Sequence, residues 1–229
     1  MQLKFATWNI HRCIGRDGIM SPERCVAVLM EIDAHVVALQ EVEFRPGHEL
    51  DALAFLARET GTLQIPGVTM TREGAQYGNA LLTRLPPVKI RRHDLSVRGR
   101  EPRAALDVDL KPYGCDMQLI ATHLGLRPAE RREQVRQLLP LFKVQSRDLV
   151  VLAGDLNEWF LWGRPLRMLK KLFPETRHRR SWPARVPLFS LDRIWMHPIR
   201  ALRRLAAHNS AMARVASDHL PLTADIKLG

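Results

Sequence analysis

The chain has 229 residues, 46% of them hydrophobic and 26% charged, an ordinary globular composition with enough apolar residues for a sizeable core. Thirty-five Lys and Arg against 24 Asp and Glu leave a net charge of +11, with a pI near 10.4. That balance favours a polyanionic partner: nucleic acid, a phosphate-bearing small molecule or an anionic membrane surface. Cys13, Cys25 and Cys115 are odd in number and include no C-x-x-C pair, which argues against a disulfide framework and a zinc site and suggests a reducing compartment.

The first residues lack a long apolar leader, and no apolar run approaches the roughly 20 residues of a bilayer span. A cytoplasmic monomer is therefore expected. Residues 3–8 read as a first strand stopping at Asn9. Ser21, Pro22 and Glu23 open a helix, with a capping hydroxyl, a proline in the first turn and an acid near the positive end of the dipole. Val26, Leu29 and Met30 supply its apolar face. Residues 34–39 form a second strand ending at Gln40 and Glu41. Leu50, Leu53, Ala54 and Ala57 mark another helix, closed by Gly61.

Residues 79–83 are strand-like and are stopped by Pro86 and Pro87. Ala104, Leu106, Val108 and Leu110 alternate with Ala105, Asp107 and Asp109, the pattern of a strand with one wet face. Residues 119–122 form a strand ending at His123. Val135, Leu138, Leu139 and Phe142 make a helical stripe, with Arg132 and Arg136 on another face. Residues 148–153 read as a buried strand bounded by Gly154, with Asp155 and Asn157 just beyond it. A short strand follows at 194–196 beside Asp192, and Leu222, Ala224, Ile226 and Leu228 alternate to the end. No repeat or linker interrupts the chain, so residues 1–229 read as one domain. Several strands are too close together for helical crossovers, which predicts mixed, largely antiparallel sheets flanked by helices.

A pattern runs through these elements. Asn9, Glu41, His123, Asp155 with Asn157, and Asp218 with His219 each lie at or just past an apolar strand-like run. Singly, each has a structural explanation: turn formers, a solvated strand end, a core histidine, a cap. If the strand ends converge, they form a pocket of carboxylates, amides and imidazoles. Its hard oxygen donors suit Mg²⁺ or Mn²⁺ rather than a closed zinc site, and such an ion clamps phosphate oxygens.

The ordered series Thr7-Trp8-Asn9, Leu39-Gln40-Glu41, Tyr77-Gly78-Asn79, Thr122-His123-Leu124, Gly154-Asp155-Leu156-Asn157, Leu191-Asp192-Arg193-Ile194 and Ser217-Asp218-His219 resembles the endonuclease/exonuclease/phosphatase, or DNase I-like, superfamily in a compact bacterial form. The resemblance implies a four-layer α/β sandwich of the α+β type, two mixed and mainly antiparallel sheets with helices outside. It implies Glu41 as the principal metal ligand, with Asn9 and Asp218 beside it. Asp155 would orient or deprotonate the attacking water, and Asn157 would hold the water or the phosphate. His219 paired with Asp192 would stabilise phosphoryl charge, and His123 would act as an acid or donor on the other side. Asn79, Arg103 and Arg127 are carried as substrate-binding candidates. DNase-like relatives support the His123-type residue with an acid, for which the candidates here are Glu73 and Gln76.

Arg98, Arg100 and Arg103 precede a strand, and Arg127 follows the His123 motif; guanidinium forks at these places suit phosphate. Arg177, His178, Arg179 and Arg180, followed by Trp182 and later by Arg200, Arg203 and Arg204, resemble an electrostatic track beside an aromatic side chain. Trp159 and Trp182 are both expected to be packed. The leading expectation is a Mg²⁺-dependent phosphodiesterase acting on DNA or RNA. The alternatives are hydrolysis of phospholipid head groups or small phosphoesters at an anionic membrane, and a catalytically silent nucleic-acid-binding module.

Overall fold

In a computed structural model describing residues 1–48 and 51–228, the polar strand ends are gathered by two crossovers of the same kind. The first runs from β1 (Gln2–Asn9) through α1 (Pro22–Ile32) to β2 (Val36–Phe44), and β1 and β2 pair in parallel. The second runs from β7 (Met117–His123) through α3 (Pro128–Leu138) to β8 (Leu149–Asp155), again parallel. A parallel pair delivers both C-terminal ends to the same edge of its sheet. Asn9 and Glu41 thus share one edge, and His123 and Asp155 share the other.

The remaining elements are α2 (Ala52–Thr60), β3 (Leu63–Arg72), β4 (Ala75–Thr83), β5 (Pro87–Asp94), β6 (Ala104–Leu110), α4 (Arg164–Leu169), β9 (Asp192–His197), β10 (Leu202–Ala207), α5 (Ala213–Ala216) and β11 (Leu222–Lys227). One sheet has the order β10-β11-β1-β2-β4-β3 and the other β5-β6-β7-β8-β9. Apart from the two parallel pairs, neighbours run antiparallel. Because β9 is antiparallel to β8, its first residue, Asp192, faces Asp155. Because β11 is antiparallel to β1, the residues entering it, including His219, arrive at the edge that holds Asn9.

The sheets face each other across a core that includes Phe5, Val36, Leu81, Leu119, Val151 and Ala224. Trp8, Ile10, Val28, Leu29, Leu53 and Leu56 pack the outer face of the first sheet under α1 and α2. Ile120, Val135, Leu138, Leu166, Phe173 and Trp195 do the same for the second under α3 and α4. The result is the expected four-layer sandwich. Each buried Leu, Val or Phe contributes about 1.5–3 kcal/mol of transfer free energy, so the three apolar layers fix the sheets that fix the site.

Local details correct several expectations. The inward stripe of α1 is Cys25, Val28, Leu29 and Ile32, the i, i+3, i+4, i+7 spacing counted from the helix's real start; Met30 is exposed. Strand β2 does not end at Glu41 but bulges there and continues to Phe44. Gly154 lies inside β8 rather than bounding it. Helix α3 stops at Leu138, and a 3-10 turn over Leu139–Leu141 follows, since Pro140 cannot donate to a continuing α-helix. The supposed wet face of β6 is dry. Asp107 and Asp109 are 2% and 4% exposed, covered by Arg91, which reaches both carboxylates at 2.7 Å, and by Arg147 at 2.7 Å from Asp109. Buried carboxylates are tolerable when paired in this way. Helix α2 forms between an Asp51 cap and Gly61; Leu50, expected on it, lies outside the described residues. No helix of the described residues is long and apolar enough to cross a membrane.

Candidate active site

Asn9 ends β1 with three hydrogen bonds on its side chain. Its Nδ2 donates to Glu41 Oε1 at 2.9 Å and to Asp155 Oδ2 at 3.2 Å, while its Oδ1 accepts from the His11 backbone at 3.0 Å. One amide therefore bridges the carboxylates contributed by the two sheets. Glu41 gains its position from the β2 bulge, where Leu39 pairs with Ala80 and Val42 with Gly78. The extra residue turns the backbone, and Glu41 sits at φ 53°, left-handed and unfavourable for a non-glycine residue. Asn157 is left-handed too, at φ 50°. Such strain persists where surrounding structure over-determines it, a frequent property of functional sites.

Across the cluster, Asp155 Oδ1 accepts from the Asn157 backbone at 2.8 Å, and Asn157 Nδ2 donates to Leu124 O at 2.8 Å. The Asn157 amide also lies 2.9 Å from His123 Nε2. On the opposite side of the His123 ring, Arg103 Nη1 donates to Nδ1 at 3.1 Å. A guanidinium only donates, as does the Asn157 Nδ2 that faces Nε2, so both ring nitrogens meet donors and a second proton on the ring is disfavoured. Burial, reinforced by the Arg103 charge, pulls the His123 pKa down to about 3 against the opposing pull of Asp155. Neither Glu73, at the β3–β4 turn, nor Gln76, in β4, supports His123: the supporting group is a cation, not the expected acid.

His219 is the electrostatic opposite. Its Nδ1 donates to Asp192 Oδ2 at 2.8 Å, and its Nε2 lies 3.8 Å from Asp155 Oδ2. Burial opposes charge on the ring, but Asp192, through its charge and hydrogen bond, with Asp155 and Asp218, overrides it and raises the pKa to about 10. The site thus holds an imidazolium and a neutral imidazole, 3.8 and 3.6 Å from the same Asp155 oxygen. Ser181 Oγ donates to Asp192 Oδ2 at 2.5 Å, and Trp8 Nε1 donates to His219 O at 2.9 Å; both hold the pair in place. Trp182, half-buried, donates from Nε1 to Asp218 Oδ2 at 3.2 Å.

The structure therefore brings Asn9, Glu41, His123, Asp155, Asn157, Asp192 and His219 together, with Arg103 buried among them. Asp218 joins through Trp182. Asn79 and Arg127 are not hydrogen-bonded to these side chains, though Asn79 borders the cluster opposite the Glu41 bulge. Asn79 is buried and donates its Nδ2 to Ala104 O at 2.9 Å, tying the sheets together, and Arg127 is exposed at the start of α3. Trp159, expected to be buried, is 41% exposed and meets Trp182 and Phe189 edge-on, with centroids at 5.2 and 4.7 Å. Ser181 and Trp182 were not among the residues expected here; they reach the site through pairing of Trp182 with Phe189, which no local sequence signal announces.

Asp155, Asp192 and His219 lie close enough for ligand atoms within 4.8 Å of one another. They could hold a metal through the two carboxylates and His219 Nε2, since His219 Nδ1 is engaged by Asp192. A second set of hard donors lies on the other side: Glu41 lines a cavity of about 310 Å³ that also exposes Glu43, Glu101 and Tyr77, next to Asn9. Tyr77 remains a neutral donor there, since burial and the charge of Glu41 push its phenol up.

Residues 6–219 match the sequence profile of the Endonuclease/Exonuclease/phosphatase family. Over 98% of its length the chain is 32% identical to the uncharacterized protein YbhP of Escherichia coli K12, covering 96% of that protein. Its fold superposes on an endonuclease/exonuclease/phosphatase from Beutenbergia cavernae with a TM-score of 0.79 at 25% identity, covering 100% of this chain and 72% of that one. TDP2 of D. rerio, solved with a single-strand DNA product, aligns with a TM-score of 0.73 at 19% identity, covering 99% of both chains.

Proposed function

The chain belongs to the endonuclease/exonuclease/phosphatase family, and from that premise we propose that it hydrolyses phosphodiester bonds with a divalent cation and water as the nucleophile. The observation that carries this reading is the Asn9 bridge: one amide holds Glu41 at 2.9 Å and Asp155 at 3.2 Å, a metal-side carboxylate beside a water-side carboxylate. Glu41, with Asn9 and Asp218, would hold Mg²⁺ or Mn²⁺, which would supply Lewis-acid charge to the phosphate oxygens.

Asp155 keeps its Oδ1 fixed by the Asn157 backbone and is the group placed to orient the attacking water or take its proton. His219 enters protonated and donates to a phosphoryl oxygen, where charge grows in the transition state; Asp192 behind it keeps the proton in place. His123, neutral between the donors Arg103 and Asn157, orients these two side chains rather than acting as a general acid. Arg103 contributes positive charge from beneath it.

Nucleic acid and lipid head groups are the two substrate classes to separate. Arg200 and Arg203 line a cavity with Asp148, His197 and Lys227 at the end of the strands away from Asp155, and the segment from Arg177, which donates to Arg203 O at 3.4 Å, to Trp182 at the site joins the two ends. Seven residues of β8 separate Asp148 from that edge, about 20 Å at the usual rise. A panel tests the reading: single- and double-stranded oligonucleotides, phospholipid vesicles and a chromogenic phosphate bis-ester, each with Mg²⁺, Mn²⁺ or EDTA. Metal-dependent, EDTA-sensitive cleavage of a diester is the expected result. Failure of every substrate with both metals would overturn the proposal in favour of a binding module.

A further inference from the structure

The loops that leave the candidate site carry an apolar rim. Leu126 follows His123, Phe160, Leu161 and Trp162 follow Asn157, and Val186 and Leu188 precede Asp192. Their exposures run from 42% for Leu161 to 70% for Leu126. Phe160 and Trp162 contact each other with centroids 5.3 Å apart. Scattered exposed apolar residues are ordinary, but a group of six on three loops around one mouth marks an interaction surface.

A rigid staple holds the rim in place. Arg131 and Glu158 form an ion pair at 3.1 Å with both side chains under 5% exposed. Arg131 Nη1 donates to Gly125 O at 3.3 Å and to Leu126 O at 2.6 Å, while Glu158 Oε1 accepts from the Phe160 backbone at 3.3 Å. The pair thus binds the Leu126 loop to the Phe160–Trp162 loop. Trp159, against Trp182 and Phe189, binds the third loop to the Phe160–Trp162 loop. The chemistry proposed above uses neither Arg131 nor Glu158, so this buried charge is spent on presenting the rim.

Beside the rim the surface becomes strongly positive. Arg164 begins α4 two residues after Trp162, and Arg132, Arg136, Arg164, Arg167 and Lys171 line a shallow cleft of about 330 Å³ between α3 and α4. Aromatic and aliphatic side chains bordered by a dense cluster of cations match the interface of an anionic bilayer, where the rings enter the head-group region and the cations meet lipid phosphates. Stacked nucleic acid would explain the rings but not Leu126, Val186 and Leu188. A symmetric contact with a second copy of this chain through this face would place the same five cations against each other.

We infer that the Leu126, Phe160–Trp162 and Val186–Leu188 loops dock the protein on an anionic lipid surface, so that the site meets phosphodiesters of lipid head groups at the interface. The docking is independent of the reaction; the substrate class rests on the hydrolase reading. The test is co-sedimentation of the full chain with vesicles of phosphatidylcholine alone and of phosphatidylcholine mixed with phosphatidylglycerol, in EDTA to prevent turnover. Binding to the anionic vesicles, weakened by salt, is expected. Replacing two interfacial aromatic side chains in F160A/W162A should lower the partition coefficient roughly a hundredfold. R132E/R167E should lower it by more than about twentyfold, since each cation near such a surface is worth about a factor of five.

Turnover of the soluble bis-ester should be unchanged in both variants, while turnover of vesicle lipid falls with binding. The proposal is overturned by absence of binding to anionic vesicles, or by binding that F160A/W162A leaves intact. It is also overturned if those residues support oligonucleotide binding or self-association instead. Vesicle binding with the expected mutant losses but no turnover of any diester would sustain the docking and defeat the hydrolase reading, so the two fail separately.

Discussion

Arg103 Nη1 lies 3.1 Å from His123 Nδ1, so a permanent cation occupies the place where an acid would normally raise a histidine's pKa. Burial and that cation hold His123 near 3 instead of 6.5. The ring should therefore show no titration between pH 5 and 8 in an NMR experiment on its ring protons. R103M should move its pKa upward by removing the cation. For stability the sign follows from linkage: the unfolded chain binds the proton below 6.5 and the native one does not, so stability falls as pH drops from 6.5 towards 3. A wild-type His123 that titrates near 6 would defeat this assignment.

His219 should behave in the reverse sense. Its native pKa near 10 exceeds the ordinary 6.5, so its contribution to stability is complete below 6.5 and is lost as pH rises towards 10. Urea unfolding in EDTA across that range should show the alkaline decline, and D192N should flatten it by removing the carboxylate that holds the proton. The same substitution should lower diester turnover roughly 10²–10³-fold, the usual loss when a transition-state donor is disarmed. Unchanged turnover in D192N would remove His219 from the chemistry.

The Asn9 bridge makes a prediction that neither carboxylate makes alone. N9A should leave Glu41 and Asp155 present but unfastened, reducing metal affinity or activity by about 10–100-fold, as loss of a supporting contact around a metal does. E41A should raise the Mg²⁺ concentration needed for half-maximal rate. D155N should abolish turnover and spare substrate binding. Metal titrations of turnover separate the three: a change in midpoint for N9A and E41A, a change in ceiling for D155N.

The parts of this architecture that could be read from sequence are those with strong apolar patterning. Strands β1, β7, β8 and β11 are buried strands whose polar ends break the pattern abruptly, and those breaks are Asn9, His123, Asp155 and the residues before Leu222. Strands β3, β5 and β10 had no counterpart in the sequence reading, and all three lie at sheet edges. Few of their positions are buried, and β5 shows only exposed and half-exposed ones, so the apolar alternation that marks a strand is weak or absent. Within the site, the contributors of strand ends were legible. Ser181 on Asp192, Trp182 on Asp218 and Arg103 under His123 were not legible in those roles, because each depends on a loop returning from far along the chain. Asp107 and Asp109 misled for a related reason: their partners, Arg91 and Arg147, are 16 and 38 residues away.

Gly154 allows the sharpest test of how the fold positions the chemistry. It sits in β8 at φ 137°, a left-handed value that side chains avoid, and a Cβ there would lie 1.8 Å from Thr122 O. That carbonyl belongs to the parallel partner strand, and the register across this point sets His123 opposite Asp155. G154A must therefore separate β7 from β8 at the step where each strand delivers its site residue. The expected loss is about 3 kcal/mol or more, the scale of backbone strain added to overpacking, measured as a lowered urea midpoint or failure to accumulate folded protein. Among variants that fold, turnover should fall with the stability even though no site side chain has changed. As a control, G18A occupies another positive-φ position, at 76°, where a Cβ would meet nothing within 4 Å. It should cost only about 1 kcal/mol of backbone strain, with diester turnover unaffected. Equal effects from the two substitutions would show that the Thr122 contact does not position the site.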